Sequence, residues 1–231
     1  PPKRIMIIAG EASGDLHGAK LVNALRSRDS ALAFSGIGGT RMRSAGVNLL
    51  MDAAQLAVVG ITEVLFKAPE LIKGLTLDKE YLRSQRPALL ILIDFPDFNL
   101  LLAAEAKRLS IPVIYYISPK IWACRPGRVN KIGSLVDHVA VILPFEAAFY
   151  ERHNVPATFV GHPLIDDAPP VSSSAPEPDH PDFPVIGLLP GSRDREIARH
   201  LPVMLAATTL LRQRFASLRV LVSIAPTIRQ D

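Results

Sequence analysis

The run Leu89-Leu90-Ile91-Leu92-Ile93-Asp94-Phe95-Pro96-Asp97-Phe98-Asn99 constrains the fold more than any other stretch of the chain. An unbroken series of branched apolar residues fits a strand covered on both faces, the pattern of parallel strands in α/β sheets. The turn that follows ends the strand, and Asp94 falls just past its carboxyl end, where open α/β sheets place their ligands. A carboxylate is costly to desolvate, so one held there points to chemistry at the mouth of the sheet.

The remaining sequence repeats the order strand, glycine turn, helix. Strands are expected at Arg4–Ala9, Ala31–Ser35, Leu89–Ile93, Pro112–Ile117, Val136–Leu143 and Thr158–Val160, and helices at Leu16–Arg28 and about Leu100–Leu109. Such alternation implies βαβ units with right-handed crossovers, and so a doubly wound, Rossmann-like α/β domain over residues 1–168. Residues 169–184 are dominated by proline and serine and read as a linker. A second βαβ follows in 185–231, with strands at Val185–Leu189 and Leu218–Ile224 around a helix at Asp194–Phe215. One such unit cannot bury both faces of its own sheet, so this second domain is expected to be incomplete.

Charge is divided unevenly. Of the net charge of +4, all resides from Val185 onward, where seven basic residues face three acidic ones. A neutral body with a basic tail lacks the basic stripe and stacking aromatics of a nucleic-acid binder, and suits an anionic ligand in the second segment. The single cysteine, Cys124, leaves no disulfide framework or cysteine-based metal site and fits a reducing, cytoplasmic compartment. No apolar run approaches the roughly 18 residues a spanning helix needs, and the opening Pro-Pro-Lys-Arg leads straight into a strand with no sign of a signal peptide.

Several strand-end motifs carry candidate chemistry. Gly10-Glu11-Ala12-Ser13-Gly14-Asp15 joins a strand to a helix and is either a ligand loop or a plain turn capped by Ser13 or Asp15. It lacks the spacing of a dinucleotide-binding fingerprint, which disfavours a nicotinamide enzyme. Pro190-Gly191-Ser192-Arg193 also precedes a helix, where backbone N–H groups and an arginine fork suit phosphate oxygens; the plain alternative is a serine-capped turn. Trp122 to Arg128, after Tyr115-Tyr116, offers Arg125 and Arg128 to a polar anionic ligand or is simply a packed loop. His162 in Gly161-His162-Pro163 reads as a structural hydrogen-bonding residue. Ile61 to Leu75 carries an apolar stripe at helical spacing, with Pro69 expected to kink or restart the helix. That stripe is either core or a face for a membrane or greasy substrate.

Taken in order, these blocks resemble the lipid-A-disaccharide synthase family. Gly36-Ile37-Gly38-Gly39, Val59 to Leu65, Tyr116-Ile117-Ser118-Pro119 with Trp122-Ala123, and Leu143-Pro144-Phe145-Glu146 extend the match over nearly the whole chain. The chain departs from the family at Cys124, usually a tryptophan, and stops before the family's later segment. The resemblance implies a GT-B glycosyltransferase that needs no metal or cofactor. It would join UDP-2,3-diacylglucosamine to 2,3-diacylglucosamine 1-phosphate with inversion, giving the β-1,6-linked disaccharide 1-phosphate and UDP.

On that reading Asp94 is the base, with Asp97 the second candidate. Gly191, Ser192 and Arg193 hold UDP; Glu11, Ser13, Gly14 and Asp15 line the acceptor side; and Arg125 and Arg128 meet the acceptor phosphate. Val64, Leu65, Phe66, Leu71 and Ile72 form an acyl or membrane surface on the inner face of the bacterial inner membrane. The family's capacity to dimerise lies in the second domain. Two alternatives stay open: an enzyme of the same architecture acting on another UDP-sugar or acceptor, and a non-catalytic lipid-binding fragment.

Overall fold

The computed structural model describes residues 2–56, 68–124, 127–168, 184–192 and 194–225, in two compact units, 1–168 and 169–231. The first is built on a seven-stranded parallel sheet. In chain order it runs β1 (Arg4–Ala9), α1 (Ala12–Arg28), β2 (Ala33–Gly38), α2 (Thr40–Ser44), β3 (Asn48–Asp52), α3 (Ala53–Leu56), α4 (Ala68–Gln85), β4 (Leu89–Ile93), α5 (Pro96–Arg108), β5 (Val113–Tyr116), α6 (Ile121–Cys124), α7 (Arg128–Leu135), β6 (His138–Val141), α8 (Pro144–Glu151) and β7 (Ala157–Phe159). The strand order is β3-β2-β1-β4-β5-β6-β7.

Alternation along the central strands sorts the core into two layers. Ile5, Ile7 and Ala9 with Ile91 and Ile93 face α1 and α2, where Ala19, Val22 and Met42 meet them. Met6 and Ile8 with Leu90 and Leu92 face the other side and pack on Leu82 of α4, Phe98 and Leu102 of α5, Ile132 of α7 and Tyr150 of α8. Both faces of β1 and β4 are therefore covered, which is why these strands read as continuous apolar runs.

The expected strands all form, some with ends shifted by up to three residues. The first two expected helices both begin earlier than apolar spacing alone indicated. Helix α1 takes in Ser13 and Asp15, and its N-cap is Glu11, so neither of the expected caps serves it. Gly14 lets the helix approach β1, where a Cβ would lie 3.2 Å from that of Ala9, and Gly18 lets it approach α2, where a Cβ would lie 2.7 Å from Met42 Sδ. Both are packing residues inside a helix; Gly18 lies within the expected helix, whereas Gly14 reads in sequence as part of the turn. Helix α5 begins at Pro96, whose fixed φ suits the first turn. Helix α4 begins at Ala68, so Pro69 also lies in a first turn; the remainder of the Ile61–Leu75 stripe, from Ile61 to Lys67, falls outside the described residues.

The second unit contains β8 (Val185–Leu188), α9 (Asp194–Arg214) and β9 (Arg219–Val222), with β8 and β9 parallel. Leu188 and Leu218 are buried, but Leu189, Val203, Leu210 and Leu221 remain largely exposed. A lone βαβ unit has too little partner surface to cover them. None of the described helices is long and apolar enough to cross a membrane.

One buried group in α4 has consequences for stability. Asp78 lies on the same stripe as Leu71, Leu75 and Leu82, is fully buried, and neither carboxyl oxygen has a hydrogen-bond partner among the described residues. Burial pushes its pKa up to about 8, so the folded protein holds a proton that the unfolded chain releases near the ordinary value of 3.8. The contribution is complete below about pH 4 and is lost as pH rises toward 8, at roughly 1.4 kcal/mol per pH unit. Asp78→Asn is expected to flatten this slope and to stabilise the protein on the order of 2–4 kcal/mol at pH 7.5. Denaturant titrations of both proteins between pH 5 and 8.5 measure it; parallel pH profiles would contradict it.

Candidate active site

The strand order reverses between β1 and β4, so the loops leaving these strands flank a topological switch point. Ala9 pairs with Ile93, which sets Gly10 and Asp94 side by side beyond the sheet. Asp94 and Phe95 adopt left-handed backbone conformations, φ 45° and 47°, and so does Ile117 at the end of neighbouring β5, φ 56°. Such conformations in non-glycine residues persist only where surrounding contacts impose them, and they concentrate at functional sites.

The imposing contacts are hydrogen bonds to the Asp94 backbone. Its N–H donates to the Ile117 carbonyl at 3.2 Å. Its carbonyl accepts the Tyr115 hydroxyl at 2.7 Å and the Asn99 Nδ2 at 2.6 Å. Asn99 also donates to the Ile93 carbonyl at 3.2 Å, closing a clamp around the strand end. Tyr115 and Asn99 are both fully buried. The Phe95 ring lies against Gly10, where a Cβ would come within 2.4 Å of the ring, and stacks on Phe98 at 5.1 Å. Gly10 is thus required for close approach.

With its backbone fixed, the Asp94 carboxyl is partly desolvated. Burial pushes its pKa above the usual carboxylate value; the Phe95 N–H and the Lys120 ammonium draw it back. Asp97 is different: its carboxylate is exposed and pairs with Arg128 at 2.6 Å. Arg128 and Asp97, both candidates on sequence, largely neutralise one another. Arg125 lies outside the described residues.

The Gly10–Asp15 stretch serves two purposes. Glu11 and Ser13 are exposed, and Glu11 with Gly10 and Ala12 lines a groove of about 280 Å³ opposite Gly39, Thr40 and Asp52. Asp15 faces inward. Its carboxylate accepts the N–H groups of Gly39 at 2.6 Å and of Arg41 and Met42 at 3.0 Å, capping α2 from a different helix. Asp15 therefore shapes this groove by holding the loop after β2. His162 accepts the Leu164 N–H through Nδ1 at 3.3 Å, a structural contact of the expected kind. The ion pair of Lys20 with Asp167 ties the segment after β7 back to α1.

On the other face of the switch point, Leu71, Ile72 and Leu75 of α4, Phe95 of the turn, and Asp97, Phe98 and Leu101 of α5 line an apolar groove of about 350 Å³. Leu71 and Ile72, two of the residues expected in an acyl surface, line this groove, while Val64, Leu65 and Phe66 fall outside the described residues. In the second unit, Gly191 has φ 127° and the Ser192 N–H donates to the Glu196 carboxylate at 3.2 Å; Arg193 is outside the described residues. Sequence reasoning had assigned no role to Tyr115, Asn99 or Phe95. The position of Asn99, early in the helix that follows Asp94, was the available signal for one of them.

A model of the lipid-A-disaccharide synthetase family matches residues 5–231. The chain belongs to this family. It is 48% identical over 232 residues to the lipid-A-disaccharide synthase of Geobacter metallireducens and 49% identical over 229 residues to that of Geobacter sulfurreducens, covering 99% and 97% of this chain and 60% of each relative. The lipid-A-disaccharide synthase of Coxiella burnetii is 42% identical, with 62% of its length covered. The chain thus spans about three-fifths of the length of these relatives.

Among solved structures, the Staphylococcus aureus MnaA–UDP co-structure aligns with a TM-score of 0.64 at 14% identity, over 97% of this chain and 62% of its own. The calicheamicin glycosyltransferase CalG4 aligns at 0.55 and 15% identity, over 99% and 67%. These likenesses establish the fold: an α/β architecture of GT-B type, of which this chain holds part.

The three N–H contacts make Asp15 the strongest single tie between the loops that frame the Glu11 groove. Asp15→Ala is expected to cost roughly 2–4 kcal/mol, because it leaves buried donors without an acceptor. Urea denaturation measures this, and a loss below about 1 kcal/mol would show that solvent or another acceptor replaces the carboxylate.

Proposed function

We propose that this chain carries the acceptor side and the start of the donor side of an inverting lipid-A-disaccharide synthase. The observation that carries the reading is the clamped Asp94: a partly desolvated carboxyl, held in strained backbone geometry at the switch point of the sheet. A carboxylate whose proton affinity is raised by burial is a better general base than one in water.

In the proposed reaction Asp94 takes the proton from the 6-hydroxyl of 2,3-diacylglucosamine 1-phosphate. That oxygen attacks C1 of UDP-2,3-diacylglucosamine from the face opposite UDP. The new C–O bond forms as the bond to the UDP phosphate breaks, so the β-1,6 linkage arises with inversion and UDP leaves. Negative charge develops on the departing diphosphate, and the N–H groups of Gly191 and Ser192 with Arg193 would receive it. The Ser192 N–H would exchange the Glu196 carboxylate for a phosphate oxygen. Glu11 and Ser13 would contact the acceptor sugar, and the apolar groove beside Phe95 would take part of an acyl chain. Ile72, 64% exposed on the rim of that groove, would face the membrane.

Asp94→Asn keeps the backbone clamp and removes the base. In a form of the protein extended to the length of its relatives, kcat is expected to fall 10²–10⁴-fold with substrate binding retained. The acidic limb of the kcat/KM profile is expected above the ordinary carboxylate range, since burial favours the protonated acid. Undiminished turnover in the variant would remove Asp94 as base; no turnover with either acylated substrate in the unaltered enzyme would remove the reading itself. Ile72→Glu is expected to weaken association with anionic lipid vesicles without lowering the thermal midpoint, as measured by co-sedimentation and calorimetry; unchanged vesicle binding would assign the membrane contact elsewhere.

A further inference from the structure

We propose that Lys120 is the residue that binds the phosphate of the acceptor sugar and so positions the acceptor beside Asp94. The inference rests on the transferase reading above and adds to it a residue that no motif singled out.

Lys120 lies in the loop between β5 and α6, and this loop is joined to the Asp94 turn. Ile117, at its base, is left-handed and accepts the Asp94 N–H. Ser118 is buried and Pro119 stiffens the next step. Beyond Lys120, Trp122 of α6 donates its indole N–H to the buried Glu146 carboxylate at 3.0 Å and packs edge-on against Phe145 at 4.8 Å. The lysine backbone is thus held between two fixed points, while its side chain is exposed.

The electrostatic setting favours an anion. The Ile117 carbonyl ties the Lys120 loop to the Asp94 turn, and the ammonium acts on Asp94 through its charge. Nearby Arg128 is engaged by Asp97, and Lys20 by Asp167. Among the described residues no carboxylate pairs with Lys120. A compact, flexible ammonium suits a phosphate monoester as a point charge. The same chemistry would serve a phosphate of the donor's UDP, so a test must separate the two sources.

The chain itself, isotopically labelled, is titrated with glucosamine 1-phosphate, glucosamine and UDP, and binding is read from amide shifts near Asp94 and Ile117–Ile121. Lys120→Gln and Lys120→Arg are measured in parallel. The unaltered chain is expected to bind glucosamine 1-phosphate about 10-fold more tightly than glucosamine, as for a charge-assisted contact. The Gln variant should lose that difference and the Arg variant keep most of it. The Asp94 carboxyl should titrate at higher pH in the Gln variant than in the Arg variant, a change that a merely structural role would not produce.

Loss of UDP binding in the Gln variant, with glucosamine 1-phosphate unaffected, would overturn the acceptor assignment. So would equal binding of glucosamine and glucosamine 1-phosphate to the unaltered chain. Phosphate-dependent binding through Lys120 without turnover in the extended enzyme would keep Lys120 as a phosphate-binding residue but remove the transferase reading and the acceptor role with it. Turnover insensitive to Lys120→Gln would do the reverse.

Discussion

The structure around the candidate site depends on how the backbone of Asp94 is held. Its N–H and carbonyl are engaged by three residues, Ile117, Tyr115 and Asn99, drawn from the neighbouring strand and the following helix. A left-handed aspartate followed by a left-handed phenylalanine costs energy that only such over-determination can offset. One consequence is directional. Phe95 is thrown across Gly10 onto the face of α4 and α5, where it closes one end of the apolar groove. Each half of the turn thus defines a different part of the site, the carboxyl facing the mouth of the sheet and the ring facing the groove.

The clamp also links the site to the core. Tyr115 and Asn99 are fully buried, and Tyr115 belongs to the same apolar cluster as Leu90, Leu92 and Phe98. On the opposite face, Asp15 couples the loops after β1 and β2 through three hydrogen bonds. Two buried polar anchors, one on each side of the switch point, fix the loops whose exposed tips carry Glu11, Ser13 and Lys120. Fixing the first contacts through buried second contacts is how a site is preorganised.

Much of the architecture was legible in the sequence because covered parallel strands leave uninterrupted branched runs. Leu89–Ile93 is found with the expected bounds, and its position next to β1 follows from the reversal of strand order. Helix starts were less legible. Gly14 carries a packing function that looks like a turn in one dimension, and Pro96 opens a helix where it looks like part of a turn. The short strand Asn48–Asp52, at the sheet edge and only partly buried, leaves no unbroken apolar run to find. For the site, sequence could name Asp94 because a carboxylate after a buried strand is anomalous. It could not name Tyr115, which looks like any aromatic core residue, because its role is a hydroxyl contact to a backbone atom 21 residues away.

Asp15 and Asp97 show why residue type and motif membership alone are a poor guide to role. Both stand in acidic motifs at the ends of central strands, as Asp94 does. Asp15 is 6% exposed and committed to three N–H donors, so it has little capacity left for a ligand. Asp97 is exposed and committed to Arg128, which holds it as a solvated ion pair. Of the three, Asp94 is the one that combines partial burial with a nearby cation and whose clamp is made through its backbone, while its carboxyl meets the N–H of the next residue, Phe95. A general base needs proton affinity above that of a solvated carboxylate and free lone pairs directed at the substrate. Partial burial supplies the first, and the clamp holds the residue through its N–H and carbonyl, atoms other than the oxygens that must accept the proton.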